Sequence, residues 1–249
     1  VSTTNGSATQ TGFLVTAGNF WFHWRNVLFP VAFLLVFLPG PRLFDSPVAA
    51  ALLGFAVAGL GQFVRAATIG FKYVIRGGRN RRVYAEDLVT DGLYRHSRNP
   101  MYVGNLLILF GVAIASNSWG CVGVAVPLFV FIYIAIVAAE ENFLRGKFGR
   151  AFDEFCADVP RWFPKLGGLA ESVAGMKFHW RRVFAKEYGT PFGWILGISI
   201  LGLYGLHHDD GSWAGDEHWV RVFYTIMAVA FVLWATALLL KRTKRLVAD

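Results

Sequence analysis

The chain has 249 residues, 55% of them hydrophobic and 16% charged, with 23 Phe, 9 Trp, 27 Gly and a formal charge of +8. That apolar load exceeds what one soluble domain needs to fill a core, and it lies in long blocks, which argues against a water-soluble enzyme, a disordered chain and a collagen. Two cysteines are too few for a disulfide-stapled secreted module.

A bilayer core about 30 Å thick takes roughly 20 apolar residues in a helix. Six blocks approach or exceed this, at 27–44, 47–70, 100–117, 120–143, 191–206 and 219–240. They predict an all-α integral membrane protein with about six transmembrane helices. Residues 1–24 are expected to be a polar Ser/Thr/Gly-rich tail without the basic start of a signal peptide. Pro30, Pro39 and Pro41 interrupt the first block, so a re-entrant or tilted segment is the second reading there. In order, the chain divides into a polar tail and interfacial segment at 1–25, a four-span core at 26–165, and an interfacial segment plus two further spans at 166–249.

The string Phe22-His23-Trp24-Arg25-Asn26-Val27 returns as Phe178-His179-Trp180-Arg181-Arg182-Val183. A repeated interfacial turn of helix is one reading, with the aromatics at headgroup depth and Arg toward phosphate. Chance convergence of two aromatic-basic belts is the other.

Charge orients the spans. Of the 24 Lys and Arg, seven lie between Lys72 and Arg98, five between Arg145 and Lys165, four between Lys177 and Lys186 and four between Lys241 and Arg245. Six spans put all four segments on one side, which the positive-inside rule makes cytoplasmic together with both termini. Anionic lipid explains the net charge as well as nucleic acid would, so no nucleic-acid partner is expected. Cys121 and Cys156 fall on opposite sides in this topology and are not expected to pair.

No phosphate-binding Gly-x-x-x-x-Gly-Lys-Ser/Thr, His-Glu-x-x-His, Cys-x-x-Cys or Gly-x-Ser-x-Gly occurs. Two polar clusters remain. The first runs from Asp91 to Gly104: Gly92 permits a turn, Asn99 suits a helix cap, and Pro100 suits a first helical position. The free amides and positive dipole end of such a helix favour a carboxylate or phosphate. The second is Glu140-Glu141, followed by Arg145, Lys147, Phe148-Gly149 and Val159-Pro160-Arg161-Trp162. Adjacent carboxylates closing an apolar run are functional candidates by default. The plain alternative is a helix-end anchor with Glu141 paired to Arg145 at i, i+4.

Together, Gly92-x-Tyr94-x-x-x-Arg98-Asn99-Pro100-x-Tyr102-x-Gly104, an apolar hairpin, Glu140-Glu141, Phe148-Gly149 and Val159-Pro160-Arg161 resemble the isoprenylcysteine carboxyl methyltransferase and phospholipid N-methyltransferase superfamily. The resemblance covers roughly residues 50–165. It implies a membrane-embedded enzyme that uses S-adenosylmethionine, with a cytoplasmic cofactor pocket and a lipid-side opening for an apolar acceptor. Gly92, Tyr94, Arg98, Asn99, Tyr102 and Gly104 then look like the cofactor-binding box, and Glu140 and Glu141 like the acidic pair that holds the methionine or ribose part. Arg161 looks like the arginine that closes the site, and with Glu141 it is the expected catalytic residue. Asn99 stands where many members have His, and Phe152 and Phe155 where tyrosines are common.

Methyl transfer suits this inventory. Attack on a sulfonium methyl needs no metal and no covalent enzyme intermediate. Arg161 or Arg65 would orient a carboxylate acceptor; Glu140 or Glu141 would take the proton of an amine. The acceptor stays open between prenylated cysteine, an aminophospholipid and a small apolar thiol or amine. Two other functions stay open as well: an NADPH-dependent sterol-type membrane reductase, and a non-enzymatic scaffold with a degenerate pocket.

Arg65, near Gly59-x-Gly61, either faces the pocket or snorkels. The two glycines either match a family feature or serve packing. Gly193-x-x-x-Gly197 raises the possibility of a homodimer. His207-His208-Asp209-Asp210 with Asp216-Glu217-His218 reads as a hydrated acidic loop, and no metal site is expected. His96 is read as interfacial, with cofactor or substrate contact as its alternative.

Overall fold

A computed structural model describes residues 12–72, 83–210, 216–243 and Arg245. Among them there are helices and turns and no strand. The long helices are α1 (Phe13–Ala32), α2 (Pro47–Phe71), α3 (Pro100–Ala115), α4 (Trp119–Phe148), α8 (Gly189–Asp210) and α9 (Glu217–Arg242). Shorter ones are α5 (Arg150–Asp158), α6 (Leu169–Val173) and α7 (Trp180–Glu187).

Each of the six apolar blocks is helical, and five helices are long and apolar enough to cross a membrane. The other, α3, has 16 residues. At 1.5 Å per residue that is about 24 Å, short of a full hydrocarbon core. On the long helices other than α3 large apolar side chains point outward, among them Phe20, Val31, Leu60, Phe63, Phe231 and Leu233. In water such surfaces would aggregate; in lipid they meet their solvent.

The first block begins earlier than its composition suggests. The helical segment runs from Phe13 to Phe37, its last residues as a 3-10 helix, so much of the expected tail is helical. The run Phe13-Leu14-Val15 already supplies apolar surface, and Arg25 does not stop it because its guanidinium lies 4.3 Å above the Phe22 ring. Pro30 sits inside the helix, whereas Pro39 and Pro41 lie beyond its end. The two hexapeptide copies also differ: the first is in the middle of α1, while Phe178 and His179 precede α7. His179 N–H donates to the Gly70 carbonyl at 2.9 Å, satisfying an orphan acceptor at the end of α2. One string therefore makes two structures, and the repeat is no repeated device.

The described residues fall into two units, one within Val1–Phe33, Lys72–Pro100 and Leu128–Met176, the other within Leu34–Phe71, Met101–Pro127 and Lys177–Asp249. In the first unit Gly18 of α1 sits directly on the α4 backbone at Ala135, where any Cβ would clash. Phe29 meets Phe129 and Tyr133 edge-on at 5.6 and 5.9 Å. α6 packs on a 3-10 turn at Gly92–Arg95.

In the second unit α2 and α3 approach through small residues. Gly54 meets Gly111, and Gly61 meets Gly104, each at backbone distance. Gly61 therefore serves packing, while Gly59 has open space around it. Ala51, Ala58, Val112, Ile198 and Phe223 join the core that α8 and α9 complete. Asn117, at φ 51°, accepts from the amides of Leu43 and Phe44 at 3.1 and 2.8 Å, pinning the proline-rich segment to the turn before α4.

Arg65 neither snorkels nor is left open. It is buried, and its Nε and Nη2 each donate to a different oxygen of Glu187 on α7 at 2.8 Å. Asn105 takes Nη1, and Gln62 Nε2 donates to Glu187 Oε2 at 3.1 Å while its Oε1 accepts from Trp194 at 3.2 Å. Snorkelling fails because Arg65 lies inside the helix interface, where only a buried carboxylate can meet its charge. Gly193 and Gly197 have nothing within contact distance of a built Cβ.

Candidate active site

The first unit gathers the second polar cluster and the first as far as Pro100. α4 carries Glu141 at 5% exposure. Gly149, at φ +53°, then turns the chain into α5, an orientation that an L side chain rarely adopts. Phe152 is buried on this helix, and Val159 is buried just after it. From Pro160 the chain runs beside residues 96–98: Arg98 N–H donates to Pro160 O at 2.9 Å, and Lys165 N–H to His96 O at 3.0 Å. That path returns Arg161 to Glu141.

The resulting pair is bidentate. Arg161 Nε donates to Glu141 Oε1 at 3.0 Å and Nη2 to Oε2 at 2.6 Å. Arg98 Nη2 lies 3.5 Å from the same Oε1. The bland alternative for Glu141 is thereby overturned, because Arg145 pairs with Asp153 at 2.8 Å instead. The four-residue spacing could not compete with an arginine delivered from outside the helix. One carboxylate thus sits between two guanidiniums, and Arg98 Nε is a buried donor with no partner among the described residues.

Backbone-directed bonds brace the pair. Asn99 Nδ2 donates to the Arg161 carbonyl at 3.2 Å, and Ser97 Oγ donates to Trp162 O at 3.3 Å. Asn99 N–H in turn donates to Ser97 Oγ at 3.2 Å. The Asn99 side chain, expected as a cap, is therefore directed to Arg161, and Ser97 supplies an acceptor beside the start of α3. His96 is buried at 5% rather than interfacial. Its Nδ1 faces the Lys165 carbonyl and so carries the proton, which leaves Nε2 to accept from Ser172 Oγ at 2.8 Å. Cys156 stands beside Arg98: burial pushes its thiol up from the ordinary value, and the neighbouring guanidinium pulls part of the way back.

Of the other expected residues, Gly92 makes the predicted turn at φ +60°, and Tyr94 is buried in the same 3-10 turn. Glu140 is half-buried and points about 100° around α4 from Glu141. Tyr102 and Gly104 belong to the second unit, where Gly104 lies against Gly61 and the stem of Arg65. Residues 211–215 of the acidic loop lie outside the described residues, and no group of three potential metal ligands gathers among the described ones. Sequence reasoning passed over Cys156, Ser97, Ser172 and Glu187. Only Glu187 had a readable signal: an arginine within a span demands a carboxylate, and Glu187 stands just before the apolar block at 191–206.

Residues 50–151 match the phospholipid methyltransferase family. This segment is similar to the isoprenylcysteine and phospholipid methyltransferase superfamily. A protein-S-isoprenylcysteine O-methyltransferase of Schizosaccharomyces pombe is 27% identical over 46% of the chain and 48% of its own length. The cobalt-zinc-cadmium resistance protein CzcN of Cupriavidus metallidurans is 31% identical over 50% of the chain and 56% of its own length. The nickel-cobalt-cadmium resistance protein NccN of Alcaligenes xylosoxydans xylosoxydans is 28% identical over 72% and 78%. The chain thus spans little more than half of CzcN and just under half of the yeast enzyme. No solved structure matches it. The matched segment includes Arg98 and Glu141 but stops short of Arg161.

Proposed function

We propose that the chain is a membrane-embedded methyltransferase that moves a methyl group from S-adenosylmethionine to a lipophilic acceptor, either an isoprenylcysteine-like carboxylate or a phospholipid-like amine. The observation that carries this reading is Glu141 held by Arg161 and flanked by Arg98, since it joins the two motifs on which the resemblance to the superfamily rests.

The residues fit the cofactor's charges. Arg98 Nε is a buried donor in want of an acceptor, as a methionine carboxylate is, and Glu141 offers carboxylate oxygens to an ammonium or ribose hydroxyls. Gly92, Tyr94, Asn99, Tyr102, Gly104 and Glu140 enter the cofactor box by motif position. When bound, S-adenosylmethionine supplies an electrophilic methyl on a sulfonium. Arg161 and Glu141 hold each other in register by two charge-assisted bonds, so the guanidinium is already oriented. Towards a carboxylate acceptor Arg161 is the orienting group; towards an amine Glu140 or Glu141 takes the proton. The charge distribution supports placing this site at the cytoplasmic face, with the acceptor arriving from the bilayer and two copies associating through the open Gly193–Gly197 face of α8.

Calorimetric titration of the detergent-purified chain with S-adenosylhomocysteine, with NADPH in parallel, tests the reading. Saturable binding of the first, lost in Glu141→Gln, is expected. Binding of NADPH alone would assign the chain to the reductases, and binding of neither would leave a scaffold.

A further inference from the structure

A second recess lies in the first unit, on the opposite face of α4 from Glu141. Ala139, Asn142, Phe143, Gly146 and Lys147 line it, and at 100° per residue these positions form one stripe with Glu141 turned away. The facing wall is α1, through Phe20, Phe22, His23 and Trp24. Its volume is about 880 Å³, within the range of ligand pockets. The proposed methyl-transfer site uses none of these residues.

The chemistry of the walls is graded. Over two turns of α4, about 12 Å, the floor passes from Ala139 through Asn142 and Phe143 to Lys147. Lys147 Nζ is fixed rather than loose: it donates to the carbonyls of Ala85 and Glu86, the latter at 2.9 Å, and lies within 5.8 Å of the Tyr84 ring. An ammonium has three donors, so one remains for a ligand. Among the described residues no Asp or Glu lines the recess. A cation fixed at one end, with amides, His23 and aromatic and small apolar side chains along the rest of the lining, complements an amphiphile with an anionic head.

We infer that this recess binds the headgroup and upper acyl chain of an anionic phospholipid, with Lys147 meeting the net negative charge of a phosphate that no choline cation offsets, and Phe20, Phe22 and Phe143 meeting the chain. The site is distinct from the Glu141–Arg161 centre and does not depend on its assignment. Phosphate at Lys147 contributes the share of one basic residue near a charged lipid surface, about five-fold in affinity.

The test is native mass spectrometry of the full-length chain released from detergent, with phosphatidylglycerol and phosphatidylcholine of identical acyl chains as the probes. Tighter retention of phosphatidylglycerol is expected, with the preference falling about five-fold in Lys147→Gln. Asn142→Trp, which fills the recess, should abolish the retained lipid while S-adenosylhomocysteine binding and the unfolding temperature stay near wild type. Equal retention of both lipids would overturn the inference, as would an unchanged preference in Asn142→Trp. Loss of S-adenosylhomocysteine binding in Asn142→Trp, with the unfolding temperature intact, would overturn it too by giving the recess to the cofactor.

Discussion

Glu141 shows how a single side chain acquires its role from partners remote in sequence. A buried carboxylate with two guanidiniums at hand is stable only while both oxygens are engaged, so its conservative replacement is informative. Glu141→Gln retains the shape and removes the charge. We expect at least a ten-fold loss in S-adenosylhomocysteine affinity by calorimetry, on the scale of one charge-assisted bond. Arg161→Ala should depress turnover, and Arg161→Lys should not restore it, because an ammonium cannot make the two-pronged contact. Cys156 reports on the same centre. Its thiol titrates above the ordinary range through burial, and only the thiolate reacts, so alkylation near pH 8 should be slower than for a free thiol and should recover at higher pH. Arg98 holds that value down, hence Arg98→Gln should slow alkylation further at the same pH.

At the scale of elements, the ion pair between α2 and α7 matters most. Arg65 and Glu187 are both buried, with 9% and 3% side-chain exposure. Removing one partner strands the other, so Glu187→Ala should destabilise by about 3–5 kcal/mol in detergent unfolding, whereas Arg65→Met with Glu187→Leu should lie close to wild type. The glycines impose a second constraint. A side chain at Gly54 or Gly111 meets backbone at once, so Gly111→Leu must push α2 and α3 apart and lower the unfolding temperature more than Gly59→Leu, which meets open space. Apolar run length made the helices visible; which glycine carries the contact was settled by the pairing of α2 with α3.

For the whole molecule, the segment after Lys177 supplies Glu187, Trp194, Ile198 and Phe223 to the core that contains α2 and α3. A chain ending before α7 should therefore be lost to aggregation, visible by size exclusion in detergent. Orientation is a separate question, settled by charge and lipid. Impermeant labelling of intact cells should reach a cysteine placed at Asp216 and spare Cys156 if the basic segments face the cytoplasm.

The helical membrane class, five of the six block positions and the superfamily motifs were legible in the residues, because apolar run length, proline positions and local turn chemistry act over a few neighbours. The turn at Gly92 was legible for the same reason. The early start of α1, the divergent structures of the repeated hexapeptide and the Glu187 partner of Arg65 were not. Each depends on which surfaces meet across many intervening residues, and a carboxylate or a helix end takes the partner that the fold delivers, which local spacing does not specify.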